Sequence, residues 1–382
     1  MMKSTVIIIP SYYNRSMRRS VPLLLSFILL VSSCTPSAEH PLQVSLLLYR
    51  FDSPAFLEYS ADFQPIKEIP FTIPPSCGLD DTYPAPVGKF LAIELNCPSG
   101  QTVLFLDASS SLSASTASVT QPVTDSDSHF LAWTSDGEAA YLKVDTLGKP
   151  QVIRAYTDGA RDPLAINEFT YDLSAQPDSR DFTFTFSRGL GYGSELYLAK
   201  HDGRVTQLLY ADQYNYLSFA RFSPDGKQIA FIKTPDSQTP FTVGELWVMN
   251  ADGSNPRKLA DADAGHGFAA NWSPDGKRIA FVVRENPEDE TADQNSNALI
   301  GTIYTIEVES AALSSSKGGR LTQVTHFTEG YAETPLWSPD GNSLAFTVVI
   351  NGRMEVQIAD TVTGKIPSLI TGSTCCPVWM RK

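Results

Sequence analysis

Trp272-Ser273-Pro274-Asp275-Gly276, followed by Lys277-Arg278-Ile279-Ala280-Phe281, is a hairpin written in residues. Proline presets φ at the second turn position, aspartate suits the third, and glycine takes the positive φ that ends the turn. The run after it reads as a strand. The phrase returns at Phe222-Ser223-Pro224-Asp225-Gly226 and at Trp337-Ser338-Pro339-Asp340-Gly341, and more weakly at Trp133-Thr134-Ser135-Asp136-Gly137. Recurrence at long, similar intervals predicts copies of one unit.

Two degenerate copies extend the series. Pro86 to Ile93 aligns with Pro224 to Phe231, and Pro177-Asp178-Ser179 leads into Phe182 to Phe186 with serine in the glycine place. The glycine-equivalent positions 88, 137, 179, 226, 276 and 341 are spaced by 49, 42, 47, 50 and 65 residues, the last interval lengthened by an insertion at 284–298. Each unit has a second half, as in Glu245 to Gly253 followed by Arg257-Lys258-Leu259. Alternating apolar positions between Gly, Pro and Asp turns predict four strands per unit of about 50 residues. No amphipathic helix is expected after the leader. The termini complete each other. Pro377-Val378-Trp379 matches the entry to a turn that never follows, while Val44 to Phe51 and Leu57 to Ile69 supply the missing strands. The expectation is an all-β propeller of four-stranded blades over residues 43–382, closed by pairing of N- and C-terminal strands. Seven blades are favoured. Six is the alternative if the weak copy around 133–170 is only half a blade.

Trp-Ser-Pro-Asp-Gly-Lys-x-Ile-Ala-Phe together with Leu-Trp-Val-Met-Asn-Ala-Asp-Gly resembles the WD40-like Pro-Asp β-propeller repeats of the TolB type, which also build the propellers of prolyl-oligopeptidase-like enzymes. The resemblance is strongest from 218 to 346. It implies a fold and leaves activity open.

Hydrophobic content of 42%, with 10% aromatic, is that of a chain with a sizeable core, and 50 Gly and Pro residues suit short strands and turns. The formal charge of −13 offers no basic surface to replace phosphate counterions, which argues against nucleic acid as a partner. Arg15, Arg18 and Arg19 precede the apolar run Val21 to Val31, too short to span a bilayer. Val31-Ser32-Ser33-Cys34 resembles the bacterial lipobox. The resemblance implies a signal peptide over 1–33, lipid on Cys34, a tether over 34–42, and anchorage in the cell envelope outside the cytoplasm. Met17-Arg18-Arg19 makes a tidier start than Met1. Four further cysteines, Cys77, Cys97, Cys375 and Cys376, favour disulfides in an exported chain. Cys77 and Cys97 flank the turn near Pro86, which suggests a bridge across a hairpin. That leaves Cys375 and Cys376 as a vicinal bridge or as free thiols.

The repeat residues themselves are read as structural. Trp133, Trp272, Trp337 and Trp379 share one repeat position and pack between blades rather than forming a sugar platform. Asp136, Asp225, Asp275 and Asp340, with Gly137, Gly226, Gly276 and Gly341 and with Pro224, Pro274 and Pro339, belong to the turns. The candidate binding face lies in the loops entering each first strand and joining the second and third. Asp125, Asp127 and His129 belong to one such loop, Asp261, Asp263 and His266 to another, and His326, Glu329 and Glu333 to a third. The insertion adds Glu288, Asp289 and Glu290. Acids collected on one face would draw a cation or a basic segment of a partner. Asp-x-Asp occurs twice without the rest of a calcium loop, so Ca²⁺ stays a minor expectation and no cofactor or metal is assigned.

The chain contains no Gly-x-Ser-x-Gly elbow, no His-Glu-x-x-His and no phosphate-binding glycine loop. The expectation is a monomeric, lipid-anchored, non-catalytic scaffold that binds an envelope protein. Two alternatives stand beside it. One is a propeller hydrolase or lyase acting on a glycan or peptide with channel-mouth acids such as Asp263, Glu329 and Glu333. The other is a carbohydrate- or cation-binding sensor.

Overall fold

The turn phrase recurs in three dimensions as one hydrogen-bonded device. Ser273 Oγ donates to Asp275 Oδ1 (2.6 Å), the Lys277 amide donates to the same carboxylate (3.1 Å), and the Arg278 amide donates to Ser273 Oγ (2.9 Å). The same three bonds form at Ser223–Asp225 and Ser338–Asp340, and with threonine in place of serine at Thr134–Asp136. Gly137, Gly226, Gly276 and Gly341 all take φ near +70°. In the degenerate turn at 176–179 the left-handed residue is Asp178 (φ 54°), not Ser179 in the glycine place, because a short polar side chain tolerates that region.

The computed structural model describes residues 44–87, 90–107, 127–145, 148–166, 168–237, 239, 241–263, 269–308, 320–364 and 373–381. All belong to the unit Leu42–Lys382. The first strands are β1 (Val44–Arg50), β2 (Ala55–Ser60) and β3 (Pro65–Pro70), then β4 (Gly78–Pro84), β5 (Phe90–Cys97) and β6 (Gly100–Asp107). A four-stranded sheet follows, of β7 (Asp127–Trp133), β8 (Ala139–Asp145), β9 (Pro150–Tyr156) and the three-residue β10 (Arg161–Pro163). The weak copy around 133–170 therefore has its second half. Two regular sheets come next: β11 (Thr170–Ala175) to β14 (Val205–Asp212) through β12 (Phe182–Phe186) and β13 (Ser194–Ala199), and β15 (Asn215–Phe222) to β18 (Arg257–Asp263) through β16 (Gln228–Pro235) and β17 (Val243–Asn250).

The remaining strands are β19 (Asn271–Trp272), β20 (Arg278–Arg284), β21 (Ile300–Glu307), β22 (Leu321–Gln323), β23 (Gly330–Trp337), β24 (Ser343–Ile350), β25 (Arg353–Asp360) and β26 (Thr374–Arg381). A two-residue parallel contact, Ile300 with Gly330 and Gly301 with Tyr331, joins β19–β22 to β23–β25. All other pairings are antiparallel hairpin neighbours, except that β26 pairs with β1 from Val44–Arg381 to Arg50–Thr374. The only helical piece among the described residues is the 3-10 turn Ser296–Ala298, and no described helix is long and apolar enough to cross a membrane.

Second strands are buried almost without interruption, as in Phe90–Cys97 and Ser343–Ile350, because both faces of each sheet are covered. Apolar clusters fill the spaces between consecutive sheets. Val103 and Phe105 of β6 pack against Trp133, Leu142 and Ile153, and Ala230 and Leu246 meet Ile279 and Phe281. Leu46, Leu48 and Leu57 pack against Ala345, Val356 and Ile358, so the first and the last strands share a core. Tryptophan ties the neighbours together. Trp133, Trp272 and Trp337 donate Nε1–H to the carbonyls of Tyr83, Arg221 and Asn271 in the preceding sheet, at 2.9, 3.0 and 2.9 Å. Trp379 differs, since its buried indole nitrogen has no partner among the described residues.

Candidate functional site

A channel of about 930 Å³ runs between the first strands of the sheets. Its wall is shaped by bulges. Register slips between Leu79 and Asp81 in β4, Phe130 and Ala132 in β7, Thr170 and Asp172 in β11, Ser218 and Arg221 in β15, and Glu333 and Leu336 in β23. β26 slips in the same way, leaving Cys376 and Pro377 opposite Leu48. A bulge re-aims side chains and breaks the pairing ladder. Here it presents Asp80, Leu131, Tyr171, Phe219, Thr334 and Cys376 to the channel. Phe219, Thr334 and Cys376, each three residues before the repeat aromatic, hold φ at 53°, 37° and 58°. Non-glycine residues there store about 1–3 kcal/mol each, and such strain concentrates at functional sites.

The channel carries charge unevenly. Asp172 is closed off by the Arg221 guanidinium at 2.8 Å and the Ala220 amide at 3.0 Å. Asp81 and Glu333 have no such cation among the described residues. Asp81 is pushed up to about 7 by burial, helped by the charges of Glu94, Asp80 and Glu333 and opposed by the Thr82 amide that donates to it at 2.7 Å. Burial also pushes Glu333 up to about 7. Asp80 is raised by burial and by Glu94. Tyr83 donates to Glu94 at 3.2 Å, and His129 lies 3.4 Å from the other oxygen of that carboxylate. The bond to Glu94 raises His129, against the effect of its burial.

Of the acids and histidines expected on one face, the structure gathers only some. Glu333 lines the channel, and His129 meets Glu94 beside it, with Asp127 at 3.9 Å. Asp127 is turned to local work, accepting from the Gln101 amide at 2.6 Å. Asp261 pairs with Lys258 at 2.6 Å, and Asp263 is buried. Asp289 accepts from the Thr291 amide and the Asn286 side chain inside its own loop. Glu288, Glu290, His326 and Glu329 are exposed. Cys34, Asp125 and His266 lie outside the described residues. No described group of three or more His, Cys, Asp or Glu side chains is disposed to hold a metal ion. Cys77 and Cys97 are bridged, as are Cys375 and Cys376.

Asp80, Asp81 and Glu94 escaped the reading of the sequence. The signal was present for Asp80, which precedes Pro86 by the same six residues that separate Glu333 from Pro339. His129 and Glu333 each stand four residues before the repeat tryptophan. Counting six residues back from the turn proline reaches the channel at Asp80, Tyr171 and Glu333, though not at Ser218.

Antiparallel sheets packed face to face, with their first strands around a channel, define a β-propeller. No protein-family model matches the chain, and no curated protein matches it in sequence. Among solved structures it is similar to a puromycin hydrolase S511A mutant complexed with PGG, with a TM-score of 0.56 and 14% identity over 86% of this chain and 52% of that one. It is also similar to a puromycin-hydrolyzing peptidase of Mycobacterium tuberculosis, with a TM-score of 0.53 and 12% identity over 86% and 53%. TolB from Acinetobacter baumannii follows with a TM-score of 0.47 and 14% identity over 88% and 66%. At these identities the likeness is one of fold, and the chain spans about half the length of the two puromycin-cleaving proteins.

Proposed function

We propose that this chain is a lipid-anchored, extracytoplasmic binding scaffold: a seven-bladed propeller, fastened where β26 joins β1, that takes a basic or polar segment of an envelope protein into its acidic channel. The blade number is supported by seven successive groups of strands, and the fastening by the β1–β26 ladder and the Leu46–Ile358 core. One observation carries the binding reading. Asp81 and Glu333 face the channel without a paired cation among the described residues, while Asp172, which also lines it, has its arginine. Uncompensated carboxyls in a low-dielectric cleft attract positive charge. The test is crosslinking of the anchored protein in its own envelope, comparing wild type with Asp81→Asn/Glu333→Gln. Loss of the crosslinked partner is expected, and an unchanged crosslink overturns the reading. Anchorage through Cys34 is tested by Cys34→Ala, which should move the protein from the membrane to the soluble fraction.

A second reading has its own observation. Two channel carboxyls held near 7 are about half protonated at neutrality, so each can serve as a general acid. This favours a hydrolase or lyase for a glycan or peptide, with Asp81 and Glu333 in place of Asp263 and Glu329. Turnover of envelope glycan or peptide fragments that disappears in either single variant would support it. Full turnover in both would remove it.

A further inference from the structure

The second disulfide does little for the fold as a cross-link. Cys375 and Cys376 are adjacent, whereas Cys77–Cys97 spans 20 residues, and the entropy removed from the unfolded chain grows with the loop closed. The vicinal bridge is instead placed where a ligand can reach it. Both cysteines line the channel. Cys375 is 2% exposed and sits in the core with Tyr49, Phe56 and Phe71, while Cys376 keeps part of its surface open.

The neighbours of Cys376 bring acids to it. Its amide donates to Thr347 Oγ1 and its carbonyl accepts from Thr82 Oγ1, both at 3.2 Å. Thr82 follows Asp81 in β4, and Thr347 stands directly opposite Glu333 in the β23–β24 register. A disulfide with one part-open and one buried cysteine thus shares the channel wall with Asp81 and Glu333, tied to β4 and β24 beside them.

We propose that the Cys375–Cys376 bridge is a thiol–disulfide exchange site for small neutral or cationic thiols entering the channel, with Asp81 and Glu333 as the proton source for the departing sulfur. The substrate thiolate attacks Cys376 Sγ. A mixed disulfide forms, the Cys375–Cys376 bond breaks, and the electron pair leaves on Cys375. Burial in apolar surroundings raises a thiol pKa, so Cys375 departs as the thiol and needs a proton. A second thiolate then attacks the substrate sulfur of the mixed disulfide and releases Cys376. Two substrate thiols become one disulfide, and the protein disulfide becomes a dithiol, with two electrons and two protons transferred. Each bridge has a part-exposed cysteine, so exposure does not separate them, and the channel carboxyls are what distinguish Cys375–Cys376. Once ionised, above about pH 7, the channel carboxyls favour a cationic thiol over an anionic one.

The native, fully oxidised chain is its own control, because Cys77–Cys97 reports the intrinsic reactivity of the reagent. Cysteamine and 2-mercaptoethanesulfonate are added at about pH 6, where both carboxyls hold protons and their Asn and Gln isosteres leave charge unchanged. Alkylation and mass spectrometry then follow each pair. Cysteamine should open Cys375–Cys376 about tenfold faster than Cys77–Cys97, and the anionic thiol should fall behind it only when the pH is raised to about 8, where the carboxyls ionise. Asp81→Asn/Glu333→Gln should lower the cysteamine ratio at least about fivefold with the thermal transition intact. Equal rates at the two bridges overturn the proposal, as does a ratio unchanged in the double variant.

Discussion

Gly137, Gly276 and Gly341 occupy one place in the repeat with the same positive φ, yet a methyl group at each meets different surroundings. At Gly276 it would touch only Pro224 Cδ at 3.6 Å, whereas at Gly137 it would meet the Val87 carbonyl oxygen at 2.3 Å, which is backbone and cannot swing away. Gly276→Ala should therefore cost about 1 kcal/mol, the left-handed penalty alone, and Gly137→Ala about 3 kcal/mol or more, read by denaturant unfolding. Asp81 and Glu333 give a second prediction at this scale. Their folded pKa values of about 7 lie above those of free carboxyls, so each favours the folded state most at low pH. That contribution is lost as pH rises from about 4 through 7. Asp81→Asn and Glu333→Gln should match wild type in unfolding free energy near pH 4 and exceed it at pH 8, by on the order of 1–2 kcal/mol each, as read by denaturant unfolding. A variant advantage that does not grow with pH would show that the channel hydrates these groups fully.

The elements were legible where their causes are local. A Ser-Pro-Asp-Gly turn closes its own bonds within six residues, so it announces itself wherever it occurs. The bulges of β4, β15, β23 and β26 do not, because no local residue type demands them. They arise where first strands crowd around one axis, and they decide which side chain enters the channel. That is why Glu333 was found and Asp81 was not. The insertion between β20 and β21 shows the same division. Its acidity suggested a binding loop, but the structure organises it around Arg284, whose side chain is fully buried. Arg284 pairs with Asp293 at 2.9 Å and donates to the carbonyls of Phe241 and Asp289 at 3.0 Å each. Asn286 adds bonds to the Ala298 carbonyl and from the Ile300 amide. Arg284→Ala should cost about 3 kcal/mol, because it takes the cation from Asp293 and a donor from two part-buried carbonyls. Limited proteolysis reads it directly: cleavage within 286–298 should precede cleavage elsewhere in the variant, and should not in wild type.

At the scale of the whole molecule, the decisive bond is between strands about 330 residues apart in the chain. β1 has β2 on one side and β26 on the other, and Leu46 and Leu48 between them reach the core of β24 and β25. Removing β26 uncovers the Leu46, Leu48 and Leu57 face and leaves a long unpaired edge on β1, the kind of edge that invites association. It also breaks the Cys376 bonds to Thr82 and Thr347, which tie β4 and β24 to the same strand. The loss is therefore not that of one strand, since three sheets lose a shared partner. A chain ending at Gly372 should lack the single cooperative thermal transition of the full chain and should self-associate on gel filtration. A synthetic 373–382 peptide, added during refolding, should restore the transition by pairing with β1 in trans. A truncated chain that melts cooperatively at the full-length temperature would mean that the sheets hold together without this strand, and that the final blade is an appendage of the fold.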